Sequence, residues 1–574
     1  MIVRPQDHPL HPFIWQHSMT TKIAIIGSGP TGIYTLRGLI DSKIPLSITI
    51  FESEADPGKG TPYHPDMNDQ SMLANIASIE FPPIRETLVN WLRRQPDEEL
   101  TRLKVNRETI NVREFYPRLV LGEYLESQLR GLLQQGRERG HVIDVKARHR
   151  VIDIELAESE IALTVRLLDG EELRSAFDHV VMATGHDWPE NTEIKPGYFI
   201  SPWPASALKA IPSGSIGILG TSLSAIDAVV TVATAHGMFM LDAGGRLEYA
   251  PAPGTDAFHA TMMSRKGLLP EADFYCLLPY APLQYCTPEA IDALLASKRH
   301  DLLDDIFALF KAELAASDPD YAAKIGLSLL TVETIAPAYF AAREDQDPFV
   351  WAALNLAEAE QNKIDRYTVP WRYAILRMHE VIARAIPHLD DVDLGRFHKH
   401  FKSIFVDDYA TVPHESIKRL LALHRAGKLD VLALGNDYTI STDAVEQGAV
   451  VSSGQTVTYD AFIDATGQQS MSARDIPFPT LLAQGVIRKA ATPEADAIID
   501  DAGESMVRTG GVDLDDAFRP IFEANLSNRL YCVAISFLLY KLPFVQGITS
   551  AYELGGLVSS AILSDIRLET SVAA

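Results

Sequence analysis

The sequence predicts an α/β protein of two strand–turn–helix units with a mostly helical insert, and three observations carry this. Lys22 to Ile26 is an apolar run ending in Gly27, Ile44 to Phe51 is a second β-rich run, and Thr31 to Ser42 between them has helical spacing. A second strand–glycine–helix signal runs from Ser215 to Thr234, followed by a strand near Ala260 to Met263. From Thr287 to about Lys428 the pattern changes. Ile291, Leu294, Leu295, Leu302, Ile306, Leu309 and Phe310 recur at helical spacing, and Thr287-Pro288 and Asp318-Pro319 each supply a cap and a first-turn proline.

The remaining elements fit around these. Val142 to Met182 is β-rich, with Asp169-Gly170 as a hairpin turn. Strands return at Leu429 to Leu434 and Phe462 to Ala465, and the chain closes with a helix over Thr549 to Leu563. The expected division is a flexible tail over 1–19, the first part of one nucleotide domain over 20–200, and a second nucleotide domain over 201–285. A helical insert that determines the substrate follows over 286–430, and 431–574 return to the first domain. Met19 stands just before the first strand and is a second candidate start beside Met1.

Composition excludes several classes. The 574 residues carry 51 Lys and Arg against 76 Asp and Glu, a formal charge of -25. Such a surface repels phosphate backbones and anionic lipid, so no nucleic-acid or membrane partner is expected. The cysteines Cys276, Cys286 and Cys532 form no C-x-x-C pair and no zinc or iron–sulfur cluster. That pattern fits a reducing compartment and argues against a dithiol reductase. The longest apolar runs, such as Leu530 to Tyr540, are about half the roughly 20 residues of a membrane span. The expected location is the cytoplasm.

Gly27-Ser28-Gly29-Pro30-Thr31-Gly32 is G-x-G-x-x-G between a strand and a helix. The glycines serve a tight turn, close backbone approach to a pyrophosphate, and close helix–strand packing, while the helix N-terminus offers N–H groups to the phosphates. Glu52, followed by Ser53, ends the next strand about 20 residues on, where a carboxylate accepts from a ribose hydroxyl. Such a site holds FAD or NAD. Two strand ends in Ala-Thr-Gly, Ala183-Thr184-Gly185 and Ala465-Thr466-Gly467, favour FAD, because such turns link flavin and nicotinamide domains in two-dinucleotide flavoproteins.

The second fingerprint, Gly220-Thr221-Ser222-Leu223-Ser224-Ala225, puts Ser222 and Ala225 in place of two glycines. Both are small enough to keep the backbone approach open. Arg265 and Lys266 follow the next strand where an acidic ribose ligand would otherwise sit, and they suit a 2′-phosphate, hence NADPH in preference to NADH. The fold class is therefore α/β with two Rossmann-type dinucleotide-binding domains, one for FAD and one for NADPH.

Further motifs extend this reading. Gly27 to Tyr34, Pro57 to Tyr63, Met72 to Ala77, Phe115 to Arg118, Gly122 to Leu125, Ala183 to His186, Ser201 to Pro204, Gly220 to Ser224, Ser264 to Pro270 and Pro543 to Thr549 stand in this order along the chain. Together they resemble a bacterial FAD/NAD(P)-binding family whose relatives include FAD-dependent urate hydroxylases and aspartate N-monooxygenases. The nearest likeness is to an uncharacterised enterobacterial-type subgroup. The resemblance covers roughly residues 20 to 565. It implies FAD on Gly27, Ser28, Gly29, Thr31, Gly32 and Glu52, with Arg118 either at its phosphate or ribose or in a surface salt bridge. It also places Asn75 and the turn Gln546-Gly547 near the isoalloxazine ring. One departure stands out: Ala534-Ile535-Ser536 replaces the Gly-Asp pair that often ends the last flavin-side strand.

Two nucleotide sites imply hydride transfer from NADPH to FAD. Without a dithiol or iron–sulfur exit, oxygen is the natural acceptor. The expected function is an FAD- and NADPH-dependent monooxygenase that hydroxylates a small polar metabolite through a flavin C4a-(hydro)peroxide, with oxygen and that metabolite as its partners. The alternatives are an NAD(P)H oxidase or reductase serving a quinone or partner protein, and a non-enzymatic FAD/NAD(P) redox sensor. The six tryptophans never fall at the W-x-W spacing of flavin halogenases. Gly197 to Pro204 holds a Trp-Pro but lacks the histidine of the Baeyer–Villiger motif. In the insert, Trp371, Arg372, Tyr373, Arg377, His379 and His414 are the substrate-side candidates. Arg372 is either a clamp for a substrate carboxylate or half of an ion pair. Lys541 is a candidate for sensing the flavin's charge.

Overall fold

A computed structural model describes residues 20–185, 192–297, 299, 301–467, 471–495, 506–523, 526–540, 542–545 and 547–573. The tail expected over 1–19, and His186, Lys541 and Gln546, lie outside these residues. Along the chain, β1 (Thr21–Ile26), β2 (Leu46–Phe51) and β3 (Val142–Lys146) precede a meander of β4 (His149–Leu156), β5 (Ile161–Leu167) and β6 (Glu172–Phe177), then β7 (His179–Met182). Next come β8 (Glu193–Lys195), β9 (Tyr198–Phe199), β10 (Ser215–Leu219), the hairpin β11 (Gly237–Leu241) and β12 (Leu247–Pro251), and β13 (His259–Ser264). After the insert follow β14 (Leu429–Ala433), β15 (Thr439–Ser441), β16 (Ala449–Ser453), β17 (Gln455–Tyr459) and β18 (Ala461–Asp464). The last strands are β19 (Lys489–Pro493), β20 (Met506–Val512) and β21 (Leu530–Cys532).

The first sheet has the order β21-β7-β1-β2-β3 and is parallel throughout. Its central strand is an unbroken apolar run because both faces are covered: Ile23, Ala24 and Ile25 are fully buried. The second sheet has the order β14-β13-β10-β18-β9-β8, parallel except for β8 against β9. Parallel order needs crossovers. The helix Leu223–His236 carries the chain from β10 towards β13, and the whole insert lies between β13 and β14.

These pairings move two boundaries. Strands β8, β9 and β18, expected in the first nucleotide domain, and β14, which straddles the expected end of the insert at 430, belong to the second sheet, where β18 runs beside β10 and β14 beside β13, while β15, β16 and β17 form a sheet of their own. The insert is also shorter than expected. Helices Pro348–Asp365 and His414–Arg425 bury Phe349, Leu356, Ile417 and Leu420 in the same core as β10 and β13. Its own core is separate: Ile306, Phe307 and Phe310 pack with Ile375, Met378, Phe401 and Phe405.

Local signals hold where short-range chemistry decides. Thr287 Oγ1 accepts from Ala290 N at 3.2 Å and Asp318 Oδ1 from Tyr321 N at 3.0 Å, capping the two proline-started helices. Gly170 takes φ +87° in the β5–β6 hairpin. The closing helix runs Ile548–Ala573, longer than expected, since Val558, Ile562 and Ile566 continue one buried stripe. It packs on helix Pro30–Leu39 through glycine: a Cβ at Gly555 would lie 2.7 Å from Thr35 N. Gly555→Val should therefore lower stability by about 1–3 kcal/mol through overpacking, read as a fall in the first thermal transition. An unchanged transition would contradict this packing.

Candidate functional site

The ends of β1, β2 and β7 converge on the first glycine turn. Gly27 N donates to Phe51 O at 2.8 Å, and Ala183 N to Ile26 O at 2.9 Å. Gly27 has φ +100°, and a Cβ there would lie 2.3 Å from Ala183 O, so no other residue fits. A Cβ at Gly32 would lie 2.2 Å from Gly27 O, which fixes helix Pro30–Leu39 against the strand. Gly29 caps that helix without any side-chain acceptor and Pro30 occupies its first turn, so side chains leave the first N–H groups to a ligand. Thr31 is buried in the same turn.

Glu52 ties this turn together. Its Oε2 accepts from Ser28 Oγ at 2.6 Å and Ser28 N at 3.1 Å, while Oε1 accepts from Glu54 N at 3.1 Å and Ser53 Oγ at 3.3 Å. Gly58 N donates in turn to Ser28 Oγ at 2.8 Å. A Cβ at Gly60 would lie 3.1 Å from Gly29 Cα, so the Pro57–Tyr63 stretch folds over the turn and needs its glycines.

The second turn repeats the first. Gly220 has φ +122°, a Cβ there would lie 2.7 Å from Ala465 O, and Ala225 Cβ would be 3.4 Å away. Each Ala-Thr-Gly strand end thus closes its own glycine turn, Ala183 against Gly27 and Ala465 against Gly220. Thr184 is exposed, and a Cβ at Gly185 would meet nothing within 4 Å among the described residues. Ser222 caps helix Leu223–His236 without a side-chain bond, and Ser224 follows in its first turn. The two basic candidates separate. Lys266 pairs with Glu344 at 2.6 Å and lies 3.9 Å over the Phe340 ring. Arg265 is exposed and makes no ion pair among the described residues.

Motifs quoted for the flavin side pair with one another. Ala74 N donates to Tyr116 O and Arg118 N to Met72 O, both at 3.0 Å. The Arg118 side chain takes the salt-bridge alternative, and a buried one: Nη2 lies 2.7 Å from Asp227 Oδ2 on helix Leu223–His236, joining the two nucleotide domains. Burial pushes the Asp227 carboxyl up to about 6, against the pull of Arg118 and Arg419. Where the Gly-Asp pair is absent, Ser536 Oγ donates to Gly185 O at 3.5 Å. Gly547, at φ +100°, precedes the closing helix.

In the insert, the polar candidates are engaged in structure. Arg372 forms a buried ion pair with Glu271 and so is not a free carboxylate clamp. Arg377 donates to the carbonyls of Tyr373, Ala281 and Pro282. Trp371 stacks on Tyr321 at 4.3 Å, and Tyr373 Oη donates to Leu277 O at 3.1 Å. His379 contacts Leu376 O through Nδ1, and His414 meets Asp273 O through Nε2 at 2.8 Å. Burial lowers both histidines. What the sequence did not reveal is a cavity of about 60 Å³ that joins Asn75 to Glu80, Arg113, Asp273 and Asp408. These residues come from distant segments, and no local motif marks them.

An FAD-NAD(P)-binding family model matches residues 24–187, and a YdhS-like middle domain matches 287–409. A protein of Escherichia coli (strain K12), printed as "Uncharacterized protein YdhS", is 40% identical over 543 residues, 94% of this chain and 97% of that one. The chain belongs to the YdhS family. It is an FAD/NAD(P)-binding flavoprotein of oxidoreductase architecture, as expected, and the middle domain coincides with the insert's separate core. Among solved structures, ornithine hydroxylase from Pseudomonas aeruginosa aligns with 13% identity and TM-score 0.48, covering 95% of this chain and 100% of that one. A bacillithiol disulfide reductase from Bacillus cereus aligns with 12% identity and TM-score 0.41, covering 95% and 99%. These two differ in chemistry, and the likeness does not choose between them. No helix of the described residues is long and apolar enough to cross a membrane.

In this YdhS-family chain, burial and the charge of Glu80 push the Asp273 carboxyl up to about 7. The folded chain keeps a proton there that the unfolded chain has already lost. The resulting stability is full below the ordinary carboxylate range and disappears as pH rises to about 7. Urea midpoints of the parent should therefore fall relative to those of Asp273→Asn between about pH 5 and about pH 8. Parallel profiles would contradict the assignment.

Proposed function

We propose that this protein is an NADPH-dependent FAD monooxygenase that hydroxylates a small polar metabolite in the cytoplasm, with oxygen as co-substrate. The observation that supports it most is the pair of glycine turns, each closed by an Ala-Thr-Gly carbonyl. In this reading the N–H groups of Gly29, Thr31 and Gly32, around Pro30, hold the FAD pyrophosphate, while Ser28 fixes the turn against Glu52. Glu52 and Ser53 stand at its ribose. Thr184, Gly185, Asn75 and Gly547 border the flavin half. At the second turn Gly220, Ser222 and Ser224 cradle the nicotinamide dinucleotide, and Arg265 meets its 2′-phosphate. Lys266 supports the loop through Glu344.

Bound FAD supplies hydride acceptance from NADPH and, once reduced, activation of oxygen for transfer of one atom to the substrate. The protein's part is to position and enclose. The cysteines support oxygen as acceptor over a disulfide: Cys276, Cys286 and Cys532 are buried and unpaired, and burial pushes each thiol up to about 12.

The test is anaerobic mixing of FAD-loaded protein with NADPH or NADH, followed by absorbance. NADPH should bleach the flavin at the lower concentration. Arg265→Ala should weaken NADPH about tenfold and leave NADH unchanged. Absence of bleaching by either nucleotide would remove the second site and favour the sensor alternative. Equal weakening of both nucleotides would remove the 2′-phosphate contact.

A further inference from the structure

The cavity of about 60 Å³ lies between the first nucleotide domain and the insert, with room for a few waters or one small head group. Its charged lining is three acids, Glu80, Asp273 and Asp408, against two bases, Arg113 and Lys363. Both bases pull on Asp273, and Arg113 also on Glu80, but burial outweighs them. Arg113 donates from Nη2 to Cys276 O at 3.0 Å and lies 4.3 Å over the Tyr275 ring, and Lys363 is exposed.

Asp408 decides the sign of the ligand. It is 1% exposed, and neither carboxyl oxygen has a hydrogen-bond partner among the described residues. The nearby guanidiniums are directed elsewhere: Arg372 to Glu271, and Arg343 to Asp407 at 2.6 Å and Leu269 O at 2.7 Å. A carboxylate removed from water without donors is strongly unfavourable, and a neutral carboxyl without an acceptor for its proton is also penalised. An unpartnered group of this kind in a cavity wall is complementary to a ligand that brings the missing donors.

We infer that this cavity seats a cationic nitrogen group of the substrate, an ammonium or amidinium, with Asp408 as its counter-ion and Asp273 and Glu80 completing the shell. This rests on the reading of the chain as a substrate-oxidising flavoprotein. An anionic head group would need a free guanidinium here, and Arg372 is not free. Seated as an ammonium, that nitrogen has no lone pair and is an anchor, so oxygen is transferred to another atom of the substrate.

Binding also moves a proton. Burial holds Asp408 and Glu80 above the usual carboxylate range. Arg372, Asp407, Tyr321, Tyr339 and Cys276 surround Asp408, and of these only Arg372 opposes that shift. An arriving ammonium therefore pairs with the carboxylate and releases the carboxyl proton to solvent.

The test is calorimetric titration of the FAD-loaded protein, without NADPH, in buffers of different ionisation heat. The probes are n-butylammonium chloride, n-butanol and sodium butyrate. Butylammonium should bind in the millimolar range with proton release, and the other two should give no binding. Asp408→Asn should weaken butylammonium about tenfold and reduce the proton release, leaving only the part that Asp273 and Glu80 supply. Glu80→Gln, a milder change, should weaken it in the same direction and carries the test if the first variant does not fold. Butyrate binding as tightly as butylammonium, no binding of any probe, or unchanged affinity in the folded variants would overturn the inference. Flavin reduction by NADPH is read separately, so failure of either experiment leaves the other standing.

Discussion

A carbonyl oxygen packed against a glycine that no side chain could replace is the constraint on which both nucleotide sites depend. Ala183 O occupies the space of a Cβ at Gly27, and Ala465 O that of a Cβ at Gly220. Each contact draws the end of one parallel strand over the start of the neighbouring helix, which frees that helix's first N–H groups. Ser28, Glu52 and Gly58 then lock the first turn through hydrogen bonds, and the stretch that folds over it needs a glycine at Gly60. The parallel sheets follow from the same geometry, since their helices must cross over and cover both faces.

The two domains are joined by buried charge. Arg118, at the start of helix Arg118–Glu138, meets Asp227 on the nucleotide helix of the other unit, and Arg419 Nη1 donates across to Ser71 O at 2.7 Å. The insert adds its own network, in which Arg343 and Arg372 use Asp407 and Glu271. These pairings consume the positive groups expected to greet an anionic substrate and leave Asp408 over. The chemistry of the substrate region is thus set by which charges the fold has already spent.

Much of this was legible locally. Gly27, Gly32 and Gly220 carry a steric meaning that holds in any sequence, and the Thr287 and Asp318 caps act within one helical turn. Ser222 and Ala225 kept the second turn readable because small size, not glycine itself, is what the helix packing needs there. Sheet membership was not legible. Leu429 to Leu434 and Phe462 to Ala465 read as strands, but their partners β13 and β10 lie far back in the chain. Ion-pair partners were hidden for the same reason: nothing near Arg118 names Asp227, and nothing near Arg372 names Glu271. The cavity is the extreme case, since Glu80, Asp273 and Asp408 become neighbours only through tertiary packing.

The most direct measurement is a crystal structure of the chain with FAD and NADP+ bound. The expected result is FAD pyrophosphate at the N-terminus of helix Pro30–Leu39 and NADP+ pyrophosphate at that of helix Leu223–His236, with the 2′-phosphate in hydrogen-bond reach of Arg265. A nucleotide at the first turn alone, or NADP+ bound away from Gly220 and Ser222, would contradict the two-site geometry.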